Sequence, residues 1–287
     1  MHTLIVLQAV INGLFLAGIY ALLAYGFNII VGVTKVFDIT YGAVIMLNML
    51  VLWSLYTQFK VPLYLAFLII LLLSPSLGFI INKCIISPLL ERGPASQFIA
   101  TFGATLLLIH LCLYVWKAEY KAIPIYLPSI RLDGIMFGSS YVAVFIVSLI
   151  VFSATTVFLT KTTVGCKLRA TAQDADGAKV VGINLKRMYI LATIIGYFIA
   201  AICAFLLAFI FPITPHIGLD FVVLALVIVV IGGEGSFKGS LVAGLILGLI
   251  HSLLGYYLTV EWGTIVAFFL LMLILFLRPQ GLFGERG

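Results

Sequence analysis

The sequence predicts an all-α integral membrane protein, a polytopic bundle of eight or nine transmembrane or re-entrant helices with broken segments. Two observations carry this. Of 287 residues, 64% are hydrophobic and only 9% are charged, where soluble domains carry roughly 25% charge. A soluble fold of this size has no interior large enough to hide that much apolar side chain, so lipid must be the solvent. The apolar residues also fall into nine runs separated by short polar stretches, and about 20 apolar residues suffice to cross the hydrocarbon core.

The runs extend from Leu4 to Val33, Ile39 to Tyr56, Pro62 to Ile81, Gln97 to Trp116, Ser139 to Leu159, Met188 to Phe211, Leu219 to Ile231, Ser240 to Leu258 and Gly263 to Leu277. The chain enters the first run without a basic region or a small-residue cleavage site, so that run reads as a span and not as a removed signal peptide. It is longer than one crossing needs. The seventh is short and ends in the cluster Gly232, Gly233, Gly235.

Orientation follows from the placement of Lys and Arg in short loops. The stretch 161–187 carries Lys161, Lys167, Arg169, Lys179, Lys186 and Arg187 against Asp174 and Asp176, which puts it in the cytoplasm. The loop with Lys83 and Arg92 and the tail with Arg278 and Arg286 follow it there. Residues 117–138, with mixed charge and the aromatic residues Tyr120, Tyr126 and Phe137, read as an external hairpin or short helix. The N-terminus lies outside if all nine runs cross, and inside if one is re-entrant. The chain 1–287 is thus one transmembrane domain, with 160–187 as its cytoplasmic loop and 117–138 as its extracytoplasmic loop.

The cytoplasmic loop is no plain linker, because connectors between spans are short and rich in turn residues. Leu168, Ala170, Ala172, Gln173, Ala175, Ala178, Val180 and Val181 among polar residues predict helix. Asp174 and Asp176 suit a first turn, where the helix dipole favours anions, and Gly182 suits a C-terminal stop. Two readings fit: an amphipathic helix on the inner leaflet, or a docking helix for a cytoplasmic partner.

Two glycine-punctuated breaks, Asp38 to Gly42 and Glu234 to Gly239, occupy corresponding places in the two halves. Interrupted segments of this kind point to a midplane binding site, and an intramembrane acid is costly unless it lines a hydrated path. The candidate pathway residues are Asp38, Tyr41, Gly42, Asn48, Thr101, Gly232, Gly233, Glu234 and Gly235. The run from Gly232 to Gly239 is not a phosphate loop, since Lys238 follows Phe237 and the G-x-x-x-x-G-K-[ST] order is missing. Cys84, Cys112, Cys166 and Cys203 and the four histidines are dispersed, giving no metal-ligand spacing and no cofactor. No nucleophile, base and orienting residue can be assembled, so the chain is not expected to be an enzyme. Its basic residues are scattered between spans, which excludes a nucleic-acid face.

The order of motifs resembles permease subunits of branched-chain amino acid (leucine/isoleucine/valine) ABC importers. TVGCKLRATAQDADGAKVVGI, Thr163 to Ile183, is similar to the family's coupling loop, with Gly165, Arg169, Ala170, Ala172, Asp174, Ala178, Gly182 and Ile183 matching. ALLAYGFNIIVG (Ala21 to Gly32), IGGEGSFKGSLVAGLILG (Ile231 to Gly248) and FLRPQGLFG (Phe276 to Gly284) resemble three further family motifs in register. After the first span the family reads N-F-A-H-G-[DE], whereas here Asp38, Tyr41 and Ala43 replace the amide, the histidine and the acid. The departure widens the substrate to branched-chain amino acids or a related small polar solute.

The resemblance implies a multi-pass importer permease of the bacterial inner (plasma) membrane. It implies ABC ATPase subunits bound at Gly165, Arg169, Ala170, Gln173, Asp174, Ala178 and Gly182, and a second homologous permease or a second copy of the chain. It also implies an extracytoplasmic solute-binding protein and surrounding membrane lipid. Arg169 and Asp174 would anchor the loop, and Ala170, Ala178 and Gly182 would form its close-fitting face. An ATP-independent secondary carrier coupled through Asp38, or a channel, is the alternative.

Overall fold

A computed structural model describes residues 2–90, 92–124, 130–132, 135–258 and 260–284. Each of the nine apolar runs is occupied by helix. The described elements are α1 (His2–Thr34), α2 (Thr40–Trp53), α3 (Leu63–Ile81), α4 (Ser87–Leu89), α5 (Pro94–Trp116), α6 (Ser139–Lys161), α7 (Thr163–Gln173), α8 (Ala175–Val180), α9 (Leu185–Leu207), α10 (Ile217–Gly232), α11 (Phe237–Tyr257) and α12 (Val260–Leu277). π-helical turns at Ser54–Gln58 and Asn82–Ile86 extend α2 and α3. Among the described residues, seven helices are long and apolar enough to cross a membrane, with shorter apolar helices at Ile217–Gly232 and Trp262–Leu277. The protein is a polytopic helical membrane protein.

The stretch 117–138 contains a short hairpin. Ile130–Leu132 pairs antiparallel with Ile135–Phe137 in the register Ile130↔Phe137, Arg131↔Met136, Leu132↔Ile135. Tyr126 and, in the tail, Arg286 lie outside the described residues.

The chain divides into two compact units: Met1–Tyr25, Pro124–Ala154 and Leu224–Gly287, and then Gly26–Ile123 and Thr155–Val223. In the first unit α1 and α11 run antiparallel at backbone distance. A Cβ on Gly248 would stand 2.5 Å from the Ala17 Cα, and one on Gly244 would stand 2.7 Å from the Ala21 Cα. Lipid supplies no hydrophobic drive between helices, so close packing through small residues has to hold them. Two polar contacts reinforce the seam, Ser252 Oγ donating to the Ala9 carbonyl at 2.7 Å and Tyr20 Oη meeting His251 Nδ1 at 2.9 Å. Phe145 packs on Phe15, and Phe152 on Tyr25, so this part of α6 runs parallel to α1.

In the second unit α9 is the central element, buried along most of its length from Met188 to Leu207. It packs on α2 and α3. Ser74 Oγ donates to the Tyr197 carbonyl at 2.7 Å, and Asn82 Nδ2 donates to Thr193 Oγ1 at 2.8 Å. Inside an apolar bundle such pairs satisfy groups that lipid could not. At one end of the unit the Lys121 backbone exchanges hydrogen bonds of 3.0 and 2.8 Å with Ile213. The Lys121 ammonium sits 4.5 Å above the Trp53 ring, a cation–π contact. The loops after α5 and α9 are thereby tied together.

Candidate functional site

The early break comes at the end of α1. Lys35 leaves the helix with φ +56°, and residues 35–38 have no regular structure before α2 begins at Thr40. Asp38 is fully buried, as are Thr40, Tyr41 and Tyr197. The Asp38 carboxyl group accepts the Thr40 N–H at 3.0 Å, the Thr40 hydroxyl, and the Tyr197 hydroxyl at 2.8 Å. The two hydroxyls are 2.6 Å apart. A buried carboxyl group is tolerable only with partners of this kind, and here they come from both the helix it starts and from α9.

The surroundings of this cluster are tight. The Tyr41 ring lies against Phe27 and Tyr197, at centroid distances of 5.5 and 5.9 Å. Gly42 meets the start of α10: any Cβ there would overlap the Gly218 carbonyl, and a Cβ on Gly218 would stand 2.8 Å from the Gly42 oxygen. Two short helices, α2 and α10, therefore cross at their first turns, backbone on backbone. Thr101 is buried with its hydroxyl 3.0 Å from the Gln97 carbonyl and 3.4 Å from the Phe37 carbonyl. Asn48, two turns along α2, is fully buried, and neither amide atom has a hydrogen-bond partner among the described residues. Orphaned buried amides are rare, which makes Asn48 a candidate contact for a polar solute.

The late break is built differently. Gly232 and Gly239 close the turn between α10 and α11, and a Cβ on Gly232 would stand 2.5 Å from the Gly239 carbonyl carbon. Ser236 caps α11, accepting the Gly239 N–H at 3.1 Å. The tail then lies on this turn. Leu282 N–H donates to the Ile231 carbonyl at 2.8 Å, and Phe283 N–H donates to the Gly232 carbonyl at 3.0 Å, satisfying the orphan carbonyls at the end of α10. Gly233 and Gly281 have φ of +102° and +78° and face each other across this contact. Glu234 is exposed, while Gly235 is half-buried.

The loop 161–187 folds as two helices, α7 and α8. Thr162 caps α7, accepting the Gly165 N–H at 3.0 Å, and Gly165 is buried so close that a Cβ would stand 2.5 Å from the Leu159 Cα. Arg169 Nε donates to the Leu159 carbonyl at 3.1 Å, bracing α7 against the end of α6. Asp174 caps α8, accepting the Gly177 N–H at 3.0 Å, and Gly182 ends it with φ +84°. Gly182 N–H and Ile183 N–H bond the Lys179 and Ala178 carbonyls, each at 3.0 Å. Ala178 is only 4% exposed, Ala170 is half-buried, and Gln173 is exposed. The outward apolar surface is instead Val180, 87% exposed, and Val181, 74% exposed, beside the exposed Lys179, Lys186 and Arg187.

Of the residues singled out in the sequence, the structure brings Asp38 and Tyr41 together with Thr40 and Tyr197. It also puts Gly42 on Gly218. Thr40 is two residues from Asp38 in the chain but is not singled out in the sequence. Tyr197 and Gly218 carry no local signal, because their partners lie more than 150 residues away in the chain. Among the described residues, no three His, Cys, Asp or Glu side chains stand together as metal ligands.

These features define a class: a multi-pass membrane protein with broken helices and a structured polar loop. Residues 9–275 match the family described as branched-chain amino acid transport system / permease component, and the chain belongs to that family. It is 28% identical over 294 residues to the high-affinity branched-chain amino acid transport system permease protein BraD of Pseudomonas aeruginosa, covering 97% of this chain and 96% of that one. It is 29% identical over 298 residues to the corresponding permease protein LivH of Salmonella typhimurium, with coverage of 97% and 96%. To a probable LivH of Methanocaldococcus jannaschii it is 24% identical over 289 residues, covering 93% and 89%. No solved structure matches the chain. The chain is a transport permease subunit and not an enzyme.

Proposed function

We propose that this chain forms, with a second homologous permease or a second copy of itself, the inner-membrane translocation path for branched-chain amino acids or a closely related small polar solute. The whole chain acts as one permease domain. Two ATPases engage the loop 160–187 from the cytoplasm, and a solute-binding protein delivers substrate on the side of residues 117–138. Hydrolysis moves the loop, and the bundle alternates between two packed states.

One observation carries this reading: the polar loop 161–187 holds two capped helices and presents an exposed Val180–Val181 pair, with exposed Lys179, Lys186 and Arg187 close by in the chain. An exposed apolar knob with a basic rim fits a partner groove with acidic edges. Within the loop, Gly165, Arg169, Asp174 and Ala178 set the fold, while Gln173, Val180, Val181 and Gly182 face outward. The pathway is assigned to the Asp38 break, with Tyr41, Gly42, Asn48 and Thr101 around it. The glycine turn 232–235 is the joint on which α10 and α11 are hung. Substrate selection rests with Asn48, whose unpaired amide offers both a donor and an acceptor.

The test is co-purification from detergent. An ATPase subunit retained by the wild-type chain and lost by Val180→Glu/Val181→Glu supports the reading. A wild-type chain that carries no ATPase, or that takes up solute in liposomes without one, returns the protein to the secondary-carrier alternative.

A further inference from the structure

The loop 161–187 and the Asp38 break are joined by one helix, and the joints along that helix are stiff. α8 ends in a locked turn, with Gly182 N–H on the Lys179 carbonyl and Ile183 N–H on the Ala178 carbonyl. Asn184 then caps α9, accepting the Arg187 N–H at 3.1 Å. From Asn184 to Tyr197 is 13 residues of uninterrupted helix, about 20 Å at 1.5 Å per residue. Displacement of the loop therefore reaches Tyr197 with little loss.

At Tyr197 the helix is held on one side and reaches out on the other. Its carbonyl accepts Ser74 Oγ at 2.7 Å, and its ring lies over Gly78, where a Cβ would stand 2.9 Å from Cγ. Its hydroxyl donates to Asp38 at 2.8 Å and lies 2.6 Å from the Thr40 hydroxyl. Every atom in this cluster is sequestered from solvent. Asp38 also holds the first residue of α2, through the Thr40 N–H. Sliding α9 thus withdraws one of the donors that hold the α1–α2 joint, in a place where water cannot replace it.

We propose that Tyr197 is the positioning residue that transmits motion of the loop 161–187 to the α1–α2 joint, with the Asp38–Thr40–Tyr197 cluster as a latch that opens and closes once per transport cycle. This rests on the ABC-permease reading above. Asp38 belongs to the path as well, but Tyr197 and Thr40 act only in the coupling, so loss of their hydroxyls separates ATP hydrolysis from movement of solute.

The experiment uses the full chain with its ATPases and binding protein in liposomes, measuring ATP hydrolysis and uptake of radiolabelled leucine in the same vesicles. Tyr197→Phe keeps the ring over Gly78 and removes only the hydroxyl. It is expected to hold binding-protein-stimulated hydrolysis within two-fold and lower uptake about ten-fold, within the usual range of a coupling free energy between two sites. Thr40→Val is expected to shift the ratio of ATP to leucine in the same direction. Thr40→Ser, which restores the hydroxyl, should return it to the wild-type value. If Tyr197→Phe does not assemble, the Thr40 pair reads the same latch from α2. An unchanged ratio in the variants, or hydrolysis and uptake falling together, would overturn the latch while leaving the transport reading intact. Wild-type vesicles that hydrolyse no ATP during uptake would overturn both.

Discussion

The α1–α2 joint and the α10–α11 joint are both breaks in apolar helices, yet they are closed by different chemistry. The first is held by side chains: one carboxyl group and two hydroxyls, one of them on α9. The second is held by backbone, with Gly232 on Gly239 and two tail N–H groups on the last carbonyls of α10. A side-chain joint has alternatives, since a hydroxyl can rotate to another acceptor when a helix shifts. A backbone joint has none without moving main chain. In a machine that alternates between two packings, the first kind suits a moving part and the second a fixed pivot.

This contrast is broken most severely at the pivot. Gly232→Val places carbon on the Gly239 carbonyl carbon and oxygen, with even the Cβ at 2.5 and 2.6 Å. Both obstacles are main chain and neither can rotate away, so the expected cost is about 4 kcal/mol or more. The measurement is the fraction of monodisperse protein eluting after detergent extraction, which should fall to background. Recovery of a wild-type elution profile would mean that the turn is looser than its geometry states.

The moving joint should respond by degrees. Asp38→Ala strands the Thr40 N–H and leaves the two hydroxyls only each other in a dry interior, and is expected to cost about 2–3 kcal/mol. Asp38→Asn keeps an acceptor and should cost roughly half as much. Tyr197→Phe should cost about 0.6 kcal/mol, the average for a single hydrogen bond between membrane helices. Thermal midpoints in one detergent rank the three. Equal losses for Ala and Asn would show that the charge of Asp38, and not its acceptor geometry, holds the joint.

Much of this architecture can be read in the sequence, for identifiable reasons. Apolar runs report helices because lipid demands internally bonded backbone, and all nine are helical here. Gly182 announced its stop, and Asp174, read as a first-turn acid, stands one place earlier as the cap of α8; both act on neighbours within four residues. What could not be read is anything set by the rotation of one helix against another. Tyr197 sits in an ordinary apolar run, and only packing turns its hydroxyl toward Asp38. Arg169 illustrates the same limit in the loop. Its charge suggested a polar anchor for the loop, but the sequence did not name the Leu159 carbonyl, ten residues back, that its Nε meets; the apolar Val180 and Val181, unremarkable in sequence, face outward.

On the proposed coupling the loop feeds the moving joint alone, so cutting it there should disable that joint without loosening it. Val180→Glu with Val181→Glu changes exposed positions only. The thermal midpoint should stay within the equivalent of about 0.5 kcal/mol. ATPase retention should drop about 30-fold, as for a pair of interface anchors together worth roughly 2 kcal/mol. Loss of both properties at once would place the two valines in the fold and not at a contact.

The finest comparison uses two glycines with nearly the same backbone and opposite surroundings. Gly281 at φ +78° belongs to the pivot, where a Cβ would stand 2.7 Å from both the Gly233 N and the Val230 carbonyl. Gly182 at φ +84° ends α8, and a Cβ there would meet nothing within 4 Å. Alanine at Gly182 therefore costs only the left-handed conformation, about 1 kcal/mol. At Gly281 the same conformational cost is joined by a collision with two backbone atoms that also accept or position hydrogen bonds, raising it to about 2 kcal/mol or more. The difference between the two midpoints isolates close approach from conformational strain. If Gly182→Ala proves the more damaging for stability, the α8–α9 turn is a constrained element of the fold. If it leaves stability nearly intact but lowers ATPase retention, Gly182 is kept for the partner that seats against it.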